Sequence, residues 1–255
     1  MNKYLIAGNW KMNNDIPASK QLVTDIIEQS NFDNDSVEML VCPPFTSLLT
    51  VGEMIADVNM SLGAQNCHWE SKGAFTGEIS CDMLKSIGCK YTIIGHSERR
   101  TLFHENDIDI NKKLHSLMKS DVVPVVCIGE TLEEREAGKT FDVLKKQIDG
   151  SLNEVSNDNI QKIVIAYEPV WAIGTGVAAT VEQVEEAHDR IRVMIVEVFG
   201  PNAENTLLLY GGSVNESNSH ELLGLKNVDG ALIGGASLKA DSFISIFNNA
   251  KKLSQ

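Results

Sequence analysis

Eight short runs of apolar residues recur along the chain, at residues 4–9, 37–42, 60–64, 91–94, 122–127, 163–167, 206–209 and 230–233, with longer amphipathic segments between them. Runs rich in Val, Ile and Leu are buried on both faces, as strands of a parallel sheet are. The intervening stripes, Leu22/Ile26, Ile110/Leu114/Leu117/Met118 and Phe141/Leu144/Ile148/Leu152, step by three or four residues and predict helices. Repeated strand and helix units imply a parallel α/β sheet. Eight of them favour a closed (β/α)8 barrel over an open doubly wound sheet, which periodicity alone leaves possible. No linker, low-complexity stretch or repeat divides the 255 residues, so one domain over 1–255 is expected.

In such a barrel chemistry sits at the carboxyl ends of the strands. Those ends are polar here: Asn9-Trp10-Lys11 after the first, Gly95-His96-Ser97-Glu98 after the fourth, Glu168 after the sixth, Gly211-Gly212-Ser213 after the seventh and Gly234-Gly235 after the eighth. The sixth is the most informative. The run 163–167 delivers Glu168, and Pro169 then fixes φ and removes a donor, ending the ladder. A loop carrying Trp171, Ile173 and the pair Gly174 and Gly176 follows, longer than an ordinary strand-to-helix connection and expected to act as a lid. Thr180 to Gln183 reads as a capping box opening a helix with an apolar stripe of Val181, Val184, Ile191, Ile195 and Val198.

Each of these features has a plain alternative: Glu168 as a surface carboxylate, His96 as a structural histidine, Lys11 as a solvated lysine, the glycine pairs as turns. Their convergence on strand ends favours function. Segment 97–103 can open a short helix after His96, and the positive end of its dipole disfavours an imidazolium, so a neutral, hydrogen-bond-donating ring is expected. Lys11 beside Asn9 would present fixed positive charge to an anionic ligand. Backbone N–H groups at the two glycine pairs, Gly211-Gly212 and Gly234-Gly235, with Gly174 on the loop, are suited to phosphate. Gly174 to Ala179 also fits the pattern G-x-G-x-x-A, but a dinucleotide turn needs its first glycine directly after the strand, and five residues intervene. Cys127 is expected to be a small buried residue.

With 22 Lys and Arg against 35 Asp and Glu, the formal charge of -13 disfavours nucleic acid and anionic membranes as partners. No apolar stretch reaches the length of a membrane helix, and residues 1–10 lack a signal-peptide core, so a cytoplasmic protein is expected. Five cysteines without a C-x-x-C pair read as reduced thiols, and six histidines without close spacing predict no metal site. The 65–79 segment carries Trp69 and Phe75 among polar residues and glycines, and a subunit interface is expected there.

The stretch Tyr167-Glu-Pro-Val-Trp-Ala-Ile-Gly-Thr-Gly176 resembles the signature of the triosephosphate isomerase family. So, in the family's order, do Asn9 and Lys11, Gln65-Asn66, Gly95-His-Ser-Glu-Arg-Arg100, Cys127-Ile-Gly-Glu130, Tyr210-Gly-Gly-Ser-Val214 and Asp229-Gly-Ala-Leu-Ile-Gly-Gly235. The resemblance implies a cofactor-free, metal-free isomerase, usually a homodimer, interconverting dihydroxyacetone phosphate and D-glyceraldehyde 3-phosphate in glycolysis and gluconeogenesis. It implies Glu168 as base, His96 as electrophile, Lys11 as electrostatic partner and Asn9 as the residue that positions substrate. Gly174, Ser213, Gly234 and Gly235 would hold the phosphate, with Glu98 behind the site. Leu207 departs from the basic residue the family often has there, and Val177-Ala-Ala179 is one variant of the lid hinge.

The chemistry agrees with the residues. Removing a proton beside a carbonyl needs a base at carbon and donors at the developing oxyanion. Two rivals are a Schiff-base aldolase using Lys11 and a non-catalytic phosphosugar-binding protein, which would have no use for Glu168 and His96 together.

Overall fold

The computed structural model describes residues 4–32, 36–172 and 178–255. Eight strands, β1 (Tyr4–Asn9), β2 (Val37–Cys42), β3 (Met60–Ala64), β4 (Cys89–Ile94), β5 (Val123–Ile128), β6 (Val164–Tyr167), β7 (Leu207–Tyr210) and β8 (Gly230–Ile233), close in sequence order into one parallel barrel. The doubly wound alternative is thereby excluded. Four of the eight expected runs have the observed bounds, and the other four differ by up to two residues at an end. The β7–β8 seam is thin, with the single registered pair Tyr210↔Ala231, while β1 and β8 pair over Leu5↔Gly230 to Gly8↔Ile233.

The unbroken apolar character of the strands follows from two separate cores. Alternate residues, including Leu5, Ala7, Leu40, Ile93, Val125, Ala166 and Leu232, fill the barrel interior. Their neighbours Ile6, Met39, Val41, Ile94, Val126 and Ile165 pack outward against the helices. Either face left in water would forfeit about 2 kcal/mol for each large side chain exposed. Cys127 lies in the interior set, fully buried as expected, and burial pushes its thiol well up.

The helices α1 (Ile16–Gln29), α2 (Phe45–Met54), α3 (Cys81–Ser86), α4 (Ser97–Leu102), α5 (Asp107–Lys119), α6 (Leu132–Glu136), α7 (Thr140–Ser151), α8 (Val181–Phe199), α9 (Ser219–Leu223) and α10 (Ala240–Leu253) fill the connections. The box at α8 forms as expected: the Thr180 hydroxyl accepts from the Gln183 N–H, and the Gln183 side chain accepts from the Thr180 N–H. The expected α8 stripe needs correction. Val184, Ile191 and Ile195 are buried, but Val198 is 42% exposed and Phe199 takes its place in the core. From Ile195, a step of four rather than three stays on the buried face here. His188 and Arg192 share that face, which no apolar stripe could reveal.

Candidate active site

Glu168 follows β6 and is carried to the barrel mouth by backbone bonds from its own N–H to Ile128 O at 2.8 Å and from Gly211 N–H to Tyr167 O at 2.7 Å. The approach of neighbouring chains is close. A side chain at Gly129 would place its Cβ 1.7 Å from Glu168 O, and one at Gly211 would meet Glu168 Cγ at 2.8 Å. Glycine at both positions is what lets three strand ends crowd around the carboxylate.

The carboxylate is 2% exposed, and both its oxygens are engaged. Oε1 lies 2.9 Å from His96 Nε2, and Oε2 accepts the Ser97 N–H at 2.9 Å. Burial pushes the Glu168 carboxyl upward, but His96, the Ser97 N–H and Lys11 outweigh it and hold it below the usual carboxylate range. His96 caps α4 and its Nδ1 accepts the Glu98 N–H at 3.2 Å, so Nδ1 carries a lone pair and Nε2 the proton. Nε2 is thereby turned as donor toward Glu168, the hydrogen-bonding role expected of this ring. A second influence acts against the neutral ring: burial lowers the imidazole pKa, but contact with Glu168 and the charge of Glu98 outweigh burial and raise it. The carboxylate thus counters the helix terminus for as long as the two side chains touch.

Lys11 adopts φ +50, the left-handed region a side chain seldom occupies, and its N–H donates to Asn9 Oδ1 at 3.0 Å. Its carbonyl accepts from Gln65 Nε2 at 2.8 Å, and the same amide donates to Cys42 O at 2.9 Å. The ammonium pairs with Glu98 Oε1 at 2.6 Å. Glu98 therefore orients Lys11 directly. A Cβ at Gly234 would sit 3.4 Å from Lys11 Cε, so the β8 end passes close beside the lysine.

Asn9, Lys11, His96, Glu168, Ser213, Gly234 and Gly235 all line one cavity of 440 Å³. The Ser213 hydroxyl donates to Ala172 O at 2.9 Å. Gly174 lies outside the described residues. A larger cavity of 720 Å³ opens at the amino ends of the strands, around Tyr4, Tyr91 and Val123. Size does not choose between them, because only the smaller sits at the strand ends where Glu168 and His96 meet. Among the described residues no group of three or more His, Cys, Asp or Glu is arranged to hold a metal ion, and no helix is long and apolar enough to cross a membrane.

A family model described as triosephosphate isomerase matches residues 4–250. The chain belongs to the triosephosphate isomerase family. It is 48% identical over 249 residues to the triosephosphate isomerase of Alkaliphilus oremlandii, covering 97% of this chain and all of the relative. It is 49% identical over 245 residues to that of Geobacter metallireducens, covering 96% and 97%. The crystal structure of triosephosphate isomerase from Bartonella henselae superposes with a TM-score of 0.87 at 42% identity, covering 98% of this chain and 99% of that one. The protein is accordingly an isomerase with the family's barrel.

Several residues at the candidate site carry no signal in the sequence. Ser97 reaches Glu168 across 71 positions through its backbone N–H, which no side-chain motif encodes. Asn13 and Leu232 line the cavity without any distinguishing pattern. Glu130 is fully buried, accepting from both Tyr167 OH at 3.1 Å and Trp171 Nε1 at 2.9 Å and pairing with Arg135 at 3.1 Å. It anchors the amino-terminal foot of the 168–180 connection. The segment Cys127-Ile-Gly-Glu130 marked it in sequence, without a role.

Proposed function

We propose that this chain carries out the family's interconversion of dihydroxyacetone phosphate and D-glyceraldehyde 3-phosphate with Glu168 as the base that moves the proton between adjacent carbons. The observation carrying this reading is the buried Glu168 carboxylate in contact with the His96 ring above a cavity lined by Lys11 and Asn9. Held below the usual carboxylate range, Glu168 is ionised at neutral pH and able to accept a proton. Its two present partners must release it before it reaches a carbon. That release leaves the Nε2 proton of His96 free to donate to the substrate oxygen, and it removes the carboxylate that favoured the imidazolium. Lys11 adds positive charge to the enediolate, and Asn9 fixes the substrate's orientation. Ser213, Gly234 and Gly235, with Gly174 outside the described residues, hold the phosphate. The enediolate is protected when the connection after Glu168 excludes water.

The Schiff-base reading is disfavoured by the Lys11–Glu98 pair, since a nucleophilic amine needs a desolvated or cation-rich setting. The further proposal is a cytoplasmic homodimer acting in glycolysis and gluconeogenesis. Supporting the dimer, residues 70–78 stand out from the barrel, Phe75 is 43% exposed and Met12 96% exposed. The deciding experiment assays glyceraldehyde 3-phosphate isomerisation by wild type and Glu168→Gln from a host without its own isomerase. The variant should lose turnover by about 10²- to 10⁴-fold, while a phosphate-bearing inhibitor binds within a few-fold of wild type. Undiminished turnover would remove Glu168 from the mechanism.

A further inference from the structure

The root of the 65–79 segment holds two thiols that the isomerase chemistry leaves unused. Residues 68 and 80 form an isolated parallel bridge, with His68 N–H donating to Ile79 O at 2.8 Å, so the two legs of the segment run side by side. Cys67 precedes one member of that bridge and Cys81 follows the other. Cys81 Sγ donates to His68 O at 3.6 Å, which places this thiol beside the residue that follows Cys67. Both cysteines are 1% exposed, but Cys81 forms part of the floor of a side cavity of 790 Å³, bounded by Trp69, Lys112, Ser116 and Lys119.

The remaining cysteines provide a contrast within the same molecule. Burial pushes Cys42 upward and Cys89 up to about 12, and Cys127 is also held well above the ordinary thiol range. Cys81 goes the other way, to about 7, because the neighbouring Cys67 thiol and the Ser116 hydroxyl favour its thiolate by more than burial opposes it. Cys67 is raised, chiefly by the neighbouring Cys81 thiol, and keeps its proton. One thiol of the pair is thus prepared to attack and its neighbour to follow.

We propose that Cys67 and Cys81 form a two-thiol oxidation site, entered from the side cavity, whose oxidant is a low-molecular-weight disulfide such as oxidised glutathione. In the first step Cys81 thiolate attacks one sulfur of the reagent, forming a mixed disulfide and expelling one thiolate. Cys67 then attacks the Cys81 sulfur, giving up its proton to the solution; a second reagent thiolate leaves, and a Cys67–Cys81 disulfide remains. Two protein thiols are oxidised and one disulfide is reduced to two thiols. Because both sulfurs are buried, the rate follows local opening of the 65–79 segment. The site is independent of the isomerase assignment.

The test incubates the full-length native protein with oxidised glutathione, quenches with acid, and maps the cysteine peptides by mass spectrometry. Wild type should yield a cross-linked Cys67–Cys81 peptide. Cys67→Ser should instead accumulate a glutathione adduct on Cys81, and Cys81→Ser should give neither product. In a parallel experiment on the native wild type, iodoacetamide should alkylate Cys81 at least about tenfold faster than Cys42, Cys89 or Cys127. Absence of the cross-link in wild type, or alkylation of Cys81 no faster than the other three, would overturn the proposal. The wild-type measurements stand even if a serine variant folds poorly.

Discussion

His188 illustrates how much one buried side chain can bind stability to pH. Its Nδ1–H donates to Asn227 O at 2.8 Å, and its ring lies edge-on to Tyr167, with centroids 5.9 Å apart. Burial, with the nearby Arg192 charge, pulls its pKa down to about 4. The unfolded chain has a histidine near 6.5, so below that pH the unfolded state binds the extra proton. The contribution is fully present above about pH 6.5 and is lost as pH falls toward 4, amounting to about 3 kcal/mol. Urea unfolding at several pH values should show His188→Gln less stable than wild type at neutrality yet with a visibly shallower acid dependence. Parallel curves for the two proteins would show that His188 is not the source.

Among the elements, the β5 and β6 ends set the position of the base, and Gly129 is where they touch. Gly129→Ala must push Glu168's carbonyl away from a Cβ built 1.7 Å from it, so the carboxylate is displaced together with its peptide. A shift of this size is expected to lower kcat by about 10²-fold. Gly138→Ala is the matched control: φ there is +69 with nothing within 4 Å, so the cost is about 1 kcal/mol of stability and turnover is retained. Equal kcat in the two variants would refute the crowding argument. At the other end of the connection, Thr180→Ala removes the α8 cap and should lower unfolding free energy by about 1 kcal/mol in urea titrations.

For the molecule as a whole, the barrel can satisfy its own two cores, whereas the 65–79 segment folds around His68, whose ring contacts Trp69 at 4.3 Å and Phe75 at 4.5 Å. This small cluster leaves Phe75 presented to solvent. Sedimentation equilibrium should therefore give a mass near twice 28.0 kDa. If the proposed dimer packs on this segment, Phe75→Asp should shift the population toward monomer, because burying the introduced charge costs desolvation. Since Gln65 in the same segment holds Lys11 O, loss of the dimer is expected to lower activity as well. A fully active monomer would separate the segment from the site.

The sequence alone carried the alternation of eight strands with helices, the α8 cap and the strand ends at which chemistry gathers, because each follows from spacing within a few residues, while the choice of closed barrel over open sheet waited on the structure. Period and capping are local, and burial on both faces is visible as unbroken apolar runs. It could also place Glu168, His96, Lys11 and Asn9 at one mouth, since a barrel sends every strand's carboxyl end to the same side. Which groups touch was decided only by closure. The Ser97 N–H on Glu168, the buried Glu130 beneath Trp171, the lysine tied to Glu98 and the fall of Phe199 rather than Val198 into the core all join parts of the chain through three-dimensional packing. Such contacts depend on strand register and helix rotation, which are fixed by the simultaneous packing of both cores and leave no periodic trace in the chain.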